Sequence, residues 1–178
     1  LSRVIMDLAE GEIKQNLNRF DSGQTFSKYI NKSYCKTASL IANSTKAAGV
    51  LSNLDDEKLN SLYEFGKNIG LAFQVVDDIL DFTGNDKQLG KPAVSDLASG
   101  YLTAPVLYAL EENKNLSVLI NRELVEKEDL NNALNIVMNS QAIKRSRKLA
   151  EDFANISKES ILWLPNSECK RALLALPE

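Results

Sequence analysis

No histidine occurs anywhere in this 178-residue chain, and cysteine occurs only twice, at Cys35 and Cys169. Those shortages remove whole classes of chemistry. A zinc site built on imidazole and thiolate ligands, or a Cys–His nucleophile pair, has no residues to draw on. With no CxxC pair, two buried free thiols in a reducing compartment are expected rather than a disulfide. No apolar run approaches the ~20 residues that span a bilayer. Charge of one sign is also lacking: 21 Lys and Arg stand against 24 Asp and Glu, a net charge of -3. Such a balance leaves no electrostatic footprint for nucleic acid. Strand-like alternation, internal repeats and low-complexity linkers are missing too. The chain starts at Leu1 without a signal-peptide pattern, and it reads as if something upstream is missing.

What remains is helical periodicity. The length suits a single domain, and an apolar content of 44% is ordinary for a globular protein. Val4, Ile5, Leu8, Ala9, Ile13 and Leu17 recur at three- and four-residue steps, which predicts a helix over 2–20 with Gly11 marking close packing. A turn at 21–24 leads to a second helix, about Phe26 to Ala48, with small residues (Ala38, Ser39, Ala42) after its middle. Asp55, Asp56 and Glu57 open a helix start, as the macrodipole favours, and the pattern then runs from Lys58 to Phe82. At that length it would be the central helix, with Gly66 and Gly70 suggesting tight helix contact. Residues 83–100 form the longest expected loop. Further helices are expected from Thr103-Ala104-Pro105 to Glu112, near 115–122, over 127–138, over 140–164, and from an Asn166 or Ser167 cap to Leu176. The fold class is all-α, a single bundle.

One stretch stands apart: Phe73-Gln74-Val75-Val76-Asp77-Asp78-Ile79-Leu80-Asp81-Phe82. On a helix, Gln74, Asp77 and Asp81 share a stripe, and like charges one turn apart repel. Apolar neighbours discourage solvation, so the carboxylates need a compensating positive charge. Oxygen-only ligands suit a hard cation, and Mg²⁺ in particular combines a few carboxylates with substrate phosphates. A solvated acidic patch on a surface helix is the competing reading. The flanking Leu71, Phe73, Val75, Val76, Ile79, Leu80 and Phe82 leave such a helix no broad polar face.

An ordered set of landmarks carries a resemblance. Gly11-Glu12, Tyr34-Cys35-Lys36-Thr37, the acidic stretch, Gly90-Lys91-Pro92 and Ser95-Asp96-Leu97 together resemble the all-trans polyprenyl diphosphate synthase family. Ser99-Gly100-Tyr101-Leu102-Thr103-Ala104-Pro105-Val106 is most similar to the long-chain, solanesyl-type members that make quinone side chains. The resemblance implies an all-α helical bundle of the isoprenoid synthase type, lacking its N-terminal helices. Residues 1–178 would be the C-terminal part of a single polyprenyl synthase domain. It implies a Mg²⁺-dependent prenyltransferase that condenses an allylic diphosphate with isopentenyl diphosphate, works as a homodimer or heteromer, and resides in cytoplasm or plastid stroma.

Position by position, the resemblance makes Asp77, Asp78 and Asp81 the second acidic motif, with Asp77 the direct metal ligand and the others acting directly or through water. Lys36 and Lys91 match lysines that contact the allylic diphosphate, Thr37 a neighbouring hydroxyl contact, and Gln74 a polar contact beside the motif. Phe73 and Tyr34 are candidate walls around a carbocation. Each has a plainer alternative: Lys36 snorkelling from a helix, Lys91 a solvated loop lysine, Gln74 a helix-to-helix hydrogen bond, Tyr34 core packing. The basic run Lys144-Arg145-Ser146-Arg147-Lys148 reads as a solvated helix face. Two departures matter. The first acidic motif and the isopentenyl diphosphate site are absent, so the fragment itself is expected to be inactive, and Tyr101 stands where many relatives have lysine. A non-catalytic partner subunit of a heteromeric synthase is the alternative function. The small residues Ala38, Ser39 and Ala42 would leave room for a long product.

Overall fold

The structure is a computed structural model that describes residues 2–84 and 94–177, with side chains from Val4 onward. The described helices are α1 (Ser2–Leu17), α2 (Phe26–Ser33), α3 (Ser39–Leu51), α4 (Asp56–Thr83), α5 (Ser95–Ala98), α6 (Ala104–Glu112), α7 (Lys114–Asn121), α8 (Asp129–Met138), α9 (Ala142–Ser160) and α10 (Glu168–Ala175). A π-helical turn, Tyr34–Ala38, joins α2 to α3. No strand occurs among the described residues, so the all-α expectation holds. The chain gathers into two units. One contains Leu1–Glu12, Asn31–Gln74 and Leu149–Glu178; the other contains Ile13–Ile30 and Val75–Lys148.

The first unit is organised by a close helix crossing. A Cβ placed on Gly70 would lie 2.6 Å from the Ala38 Cα, and one on Gly66 would lie 2.7 Å from the Ile41 carbonyl oxygen. Gly66 and Gly70 are one turn apart on α4, and Ala38 and Ala42 are one turn apart opposite them, so two small stripes face each other. Thr45 donates its hydroxyl to the Leu62 carbonyl at 2.7 Å across the same contact. Ala38, Ser39 and Ala42 are all buried. These small residues therefore serve helix approach, which corrects the expectation that they leave room for product.

Helix ends follow local chemistry. Asp55 accepts the Lys58 N–H at 2.9 Å, capping α4 where the acidic residues cluster. Ser167 accepts the Lys170 N–H at 3.1 Å and caps α10. Pro105 sits in the first turn of α6, where its missing N–H costs nothing.

Two expected helices are shorter or interrupted. α1 stops at Leu17 rather than continuing to residue 20, because Phe20 takes a left-handed φ of 54° and donates its N–H to the Gly100 carbonyl at 2.9 Å. Gly100 is itself at φ +80°, and its missing side chain admits the Phe20 ring. The second helix runs on through Gly49 to Leu51 but is broken by the π-turn at its middle. The basic run on α9 is also less uniform than expected. Lys144, Arg147 and Lys148 are exposed, whereas Arg145 sits 4.1 Å from the Tyr108 ring centre and pairs with Glu111 at 2.6 Å. A cation over a ring face beside a carboxylate packs on the surface while staying partly solvated. Of the two thiols, Cys35 is buried as expected but Cys169 is exposed, because α10 has no buried residue.

The crossing makes a prediction. Gly66→Ala and Gly70→Ala each force backbone or side chains apart, which should cost about 1–3 kcal/mol. Thermal unfolding should register this as a midpoint lowered by about 2–4 °C per kcal/mol. Unchanged midpoints in both variants would show that the two small stripes are not in close contact.

Candidate functional site

In the second unit, α4 ends in the acidic motif, and its three carboxylates occupy different surroundings. Leu71, Val75, Ile79 and Phe82 are buried, as an apolar run requires, while Phe73, Val76 and Leu80 are exposed on the same helix. Asp77 is exposed. Asp78 and Asp81 are buried, at 2% and 0% exposure. A buried carboxylate is expensive unless hydrogen-bond donors meet it, and both have them. The Tyr29 hydroxyl donates to Asp78 Oδ2 at 2.6 Å. Ser95 Oγ donates to Asp81 Oδ1 and the Asp96 N–H to Asp81 Oδ2, each at 3.1 Å.

The second of these contacts explains a local oddity. Val94 occupies the capping position of α5, but it has no polar side chain and lies at a left-handed φ of 62°. That conformation is strained for a β-branched residue, by about 1–3 kcal/mol. Val94 donates its N–H to the Asp81 carbonyl at 2.8 Å, and the Asp81 carboxylate supplies the acceptor that Val94 lacks. A carboxylate at a helix start is favoured by the aligned peptide dipoles. The landmark Ser95-Asp96-Leu97 is thus the segment that satisfies Asp81. Lys91, named from the sequence as a diphosphate contact, lies outside the described residues.

In the first unit, the π-turn carries the other sequence candidates. The Ser39 N–H bonds to the Tyr34 carbonyl, the five-residue step that defines such a turn. Gly11 packs directly on it: a Cβ there would meet the Lys36 nitrogen at 2.9 Å. The neighbouring Glu12 pairs with Lys36 Nζ at 3.7 Å. This accounts for the Gly11-Glu12 landmark. Thr37 donates its hydroxyl to Gln74 Oε1 at 2.7 Å, so Gln74 makes the helix-to-helix bond weighed as its plainer role. The Tyr34 hydroxyl meets that of Tyr63 at 2.5 Å. Tyr34 thus packs in a polar pair.

Tyr29 escaped the sequence reading, although a signal was there. It falls on the apolar stripe of α2 with Phe26 and Ile30, and a buried tyrosine usually finds a partner for its hydroxyl. A carboxylate inside an apolar run needs a donor. Those two needs make Tyr29 a candidate donor without saying which carboxylate it meets.

Oxygen donors of this kind suit Mg²⁺, which binds through one or two carboxylates and keeps waters and phosphate oxygens for its remaining positions. The arrangement offers Asp77 as the accessible carboxylate, with Asp78 and Asp81 held by protein donors. Among the described residues no group of three or more acidic or cysteine side chains converges as a ready cage. An accessible carboxylate of this kind fits a hard cation that takes its remaining ligands from water or phosphate.

Burial, followed by the hydrogen bond with Tyr34, pushes the Tyr63 hydroxyl above its ordinary value of about 10. The neutral form is the one favoured in the fold. Its contribution to stability is therefore complete below about pH 10 and disappears as pH rises through the raised folded value. An ultraviolet absorbance titration should lose one high-pH tyrosinate component in Tyr63→Phe. Tyr34→Phe should move that component to lower pH, and a titration identical in all three proteins would refute the pairing.

Comparison with known proteins covers nearly the whole chain. The polyprenyl synthetase family model matches residues 1–137. A Synechocystis prenyl transferase is 52% identical over 176 residues, covering 99% of this chain and 54% of that protein. A chloroplastic solanesyl diphosphate synthase 2 from Arabidopsis thaliana is 47% identical over 173 residues, covering 97% of this chain and 42% of its own length. The chain spans about half the length of the curated relatives it matches. Among solved structures, heptaprenyl diphosphate synthase from Staphylococcus aureus superposes with a TM-score of 0.93 at 33% identity, over 99% of this chain and 56% of that one. A Caulobacter crescentus polyprenyl synthase complexed with calcium and isoprenyl diphosphate gives 0.91 at 31%, with the same coverage. The helical fold is that of these synthases, and with a family match across residues 1–137 the chain belongs to the polyprenyl synthetase family.

Proposed function

We propose that this chain is the C-terminal part of a single polyprenyl synthase domain, in a prenyltransferase that joins an allylic diphosphate to isopentenyl diphosphate and makes a long, solanesyl-class all-trans product for quinone side chains. The observation that carries the reading is the sorting of the acidic motif: Asp77 exposed, Asp78 and Asp81 buried on protein donors. That is how a helix presents one carboxylate to a hard cation while keeping further negative charge behind it. The similarity to chloroplastic solanesyl diphosphate synthases of Arabidopsis thaliana and Oryza sativa supports the long-chain product and favours the plastid stroma over the cytoplasm. Among the described residues no helix is long and apolar enough to cross a membrane. The working assembly is a homodimer or a heteromer.

In this reading Mg²⁺, when bound, neutralises the charge that grows on the departing pyrophosphate. Asp77 would hold it, and Asp78 and Asp81 would add to its hold by their charge. Lys36, fixed on the π-turn and shared with Glu12, contacts the allylic diphosphate, as does Lys91. Thr37 and Gln74, bonded to each other, hold a hydroxyl and an amide beside the diphosphate. These cations and donors matter most as the allylic C–O bond breaks, because negative charge on the leaving group is then greatest. Phe73, exposed on α4 at 65%, supplies apolar surface toward the carbocation.

Three experiments test the reading. In the full-length protein, Asp77→Ala should lower kcat by about 10²–10³, a loss of a few kcal/mol in transition-state stabilisation, with a smaller effect on the KM of the allylic substrate. Lys91→Ala should act in the same direction but less severely, and Lys144→Ala on the outer face of α9 should change nothing. A folded Asp77→Ala protein with normal kcat would remove the acidic motif from catalysis. Separately, calorimetry on these 178 residues should show weak Mg²⁺ binding that tightens when pyrophosphate is present, because the ion then shares ligands between protein and phosphate. The same residues assayed by themselves should give no condensation, since they hold one acidic motif. Equal, tight Mg²⁺ binding with and without pyrophosphate, or turnover by this chain alone, would contradict the proposal.

A further inference from the structure

Tyr29 has no assigned part in the scheme above, yet it is the most enclosed polar aromatic in the second unit. It is 0% exposed, and its hydroxyl points at Asp78, itself 2% exposed. The ring is held from the side by Phe26, whose centre lies 6.2 Å away at an interplanar angle of 82°. Phe26 in turn lies 4.4 Å from Tyr108, and Arg145 covers Tyr108 from the far side at 4.1 Å while paired with Glu111. An aromatic ring inside such a stack has little freedom to swing, so the hydroxyl stays where the stack puts it. At 2.6 Å the contact is short, in the range expected of a hydroxyl donating to a carboxylate.

We propose that Tyr29 is a positioning residue for the acidic motif: by fixing Asp78 Oδ2 it keeps a buried negative charge immediately behind Asp77 and so strengthens the hold on a divalent cation bridged to a diphosphate. Asp78 touches the cation neither directly nor through Tyr29; its charge raises the attraction at Asp77. Without the hydroxyl, Asp78 loses the donor that holds its Oδ2 in place, and its charge is less tightly fixed. Residues behind a metal ligand commonly alter metal affinity by about 10–100-fold when removed. The inference rests on the metal-binding reading of Asp77 given above and goes beyond it, to a residue on a different helix.

The experiment uses the full-length protein and calorimetric titration of Mg²⁺ in the presence of inorganic pyrophosphate, with thermal unfolding of each variant alongside. Tyr29→Phe keeps the ring and removes the hydroxyl; it should weaken Mg²⁺ binding about tenfold. Asp78→Asn keeps an oxygen for Tyr29 to donate to but removes the charge, and it should weaken binding at least as much. In the double variant, Tyr29→Phe should add nothing to Asp78→Asn, because both changes act through one charge. A Tyr29→Phe protein with wild-type affinity overturns the proposal, as does an equal loss in the presence and absence of the Asp78 carboxylate. Should Tyr29→Phe not fold, Asp78→Asn decides: a folded protein with about tenfold weaker binding supports the proposal, and unchanged binding overturns it. Asp77→Ala separates the two levels of inference. If it weakens binding while Tyr29→Phe does not, only the role of Tyr29 falls; if it too binds normally, the metal reading itself falls.

Discussion

A carboxylate taken out of water must be met by donors, and two such carboxylates, Asp78 and Asp81, govern the second unit. Asp78 draws on the Tyr29 hydroxyl and so ties α2 to the end of α4. Asp81 draws on Ser95 and the Asp96 N–H and so fixes where α5 begins. The strained backbone at Val94 fits this requirement, because the chain must turn sharply to bring those donors back to Asp81. From Asp96 the constraint passes on: the Tyr101 N–H bonds to the Asp96 carbonyl at 2.8 Å, and the Arg19 guanidinium lies 5.7 Å from the Tyr101 ring centre. The exposed Asp77 sits on a helix whose next residue and whose next turn are both anchored.

The first unit is ruled by shape rather than charge. Gly66 and Gly70 on α4 let Ala38 and Ala42 approach, and Gly11 lets α1 reach the backbone of the π-turn. The polar contacts there come in pairs: Thr37 with Gln74, Tyr34 with Tyr63, Lys36 with Glu12, and Ser39 with Asp7. Close backbone approach shortens the distance that side chains must bridge, so modest residues such as threonine and serine can serve as ties.

Much of this was legible in the residues, and the failures have physical causes. The 3.6-residue periodicity gave the helices, and the length of the pattern from Lys58 to Phe82 marked α4, the longest of the described helices. An Asp-Asp-x-x-Asp run in apolar company declared a need for compensation, though not which compensation. Asp78 and Asp81 found theirs in protein donors, and no local pattern says that a tyrosine about fifty residues earlier is the partner. The early end of α1 depended on Gly100, far away in sequence, accepting the Phe20 ring. The Ala-Ser-Ala stretch was misjudged because small residues suit an open space and a close contact equally; only the position of Gly66 and Gly70 opposite them decides. A run of like charges also hides the one member, Arg145, that lies over a ring face rather than standing clear in solvent.

The π-turn has a consequence for how the chain tolerates change. It holds one residue more than a regular helix would use over the same rise, so it is in effect a counted insertion. Were the same five residues wound as regular α-helix instead, everything before them would rotate by about 100° relative to everything after them. Ser33 would then leave its buried face while Ala38 and Ala42 stayed on theirs. At this point the wide turn keeps each half of the helix on its face: losing one residue is compatible with a regular helix in the same phase, whereas gaining one more is a change of face.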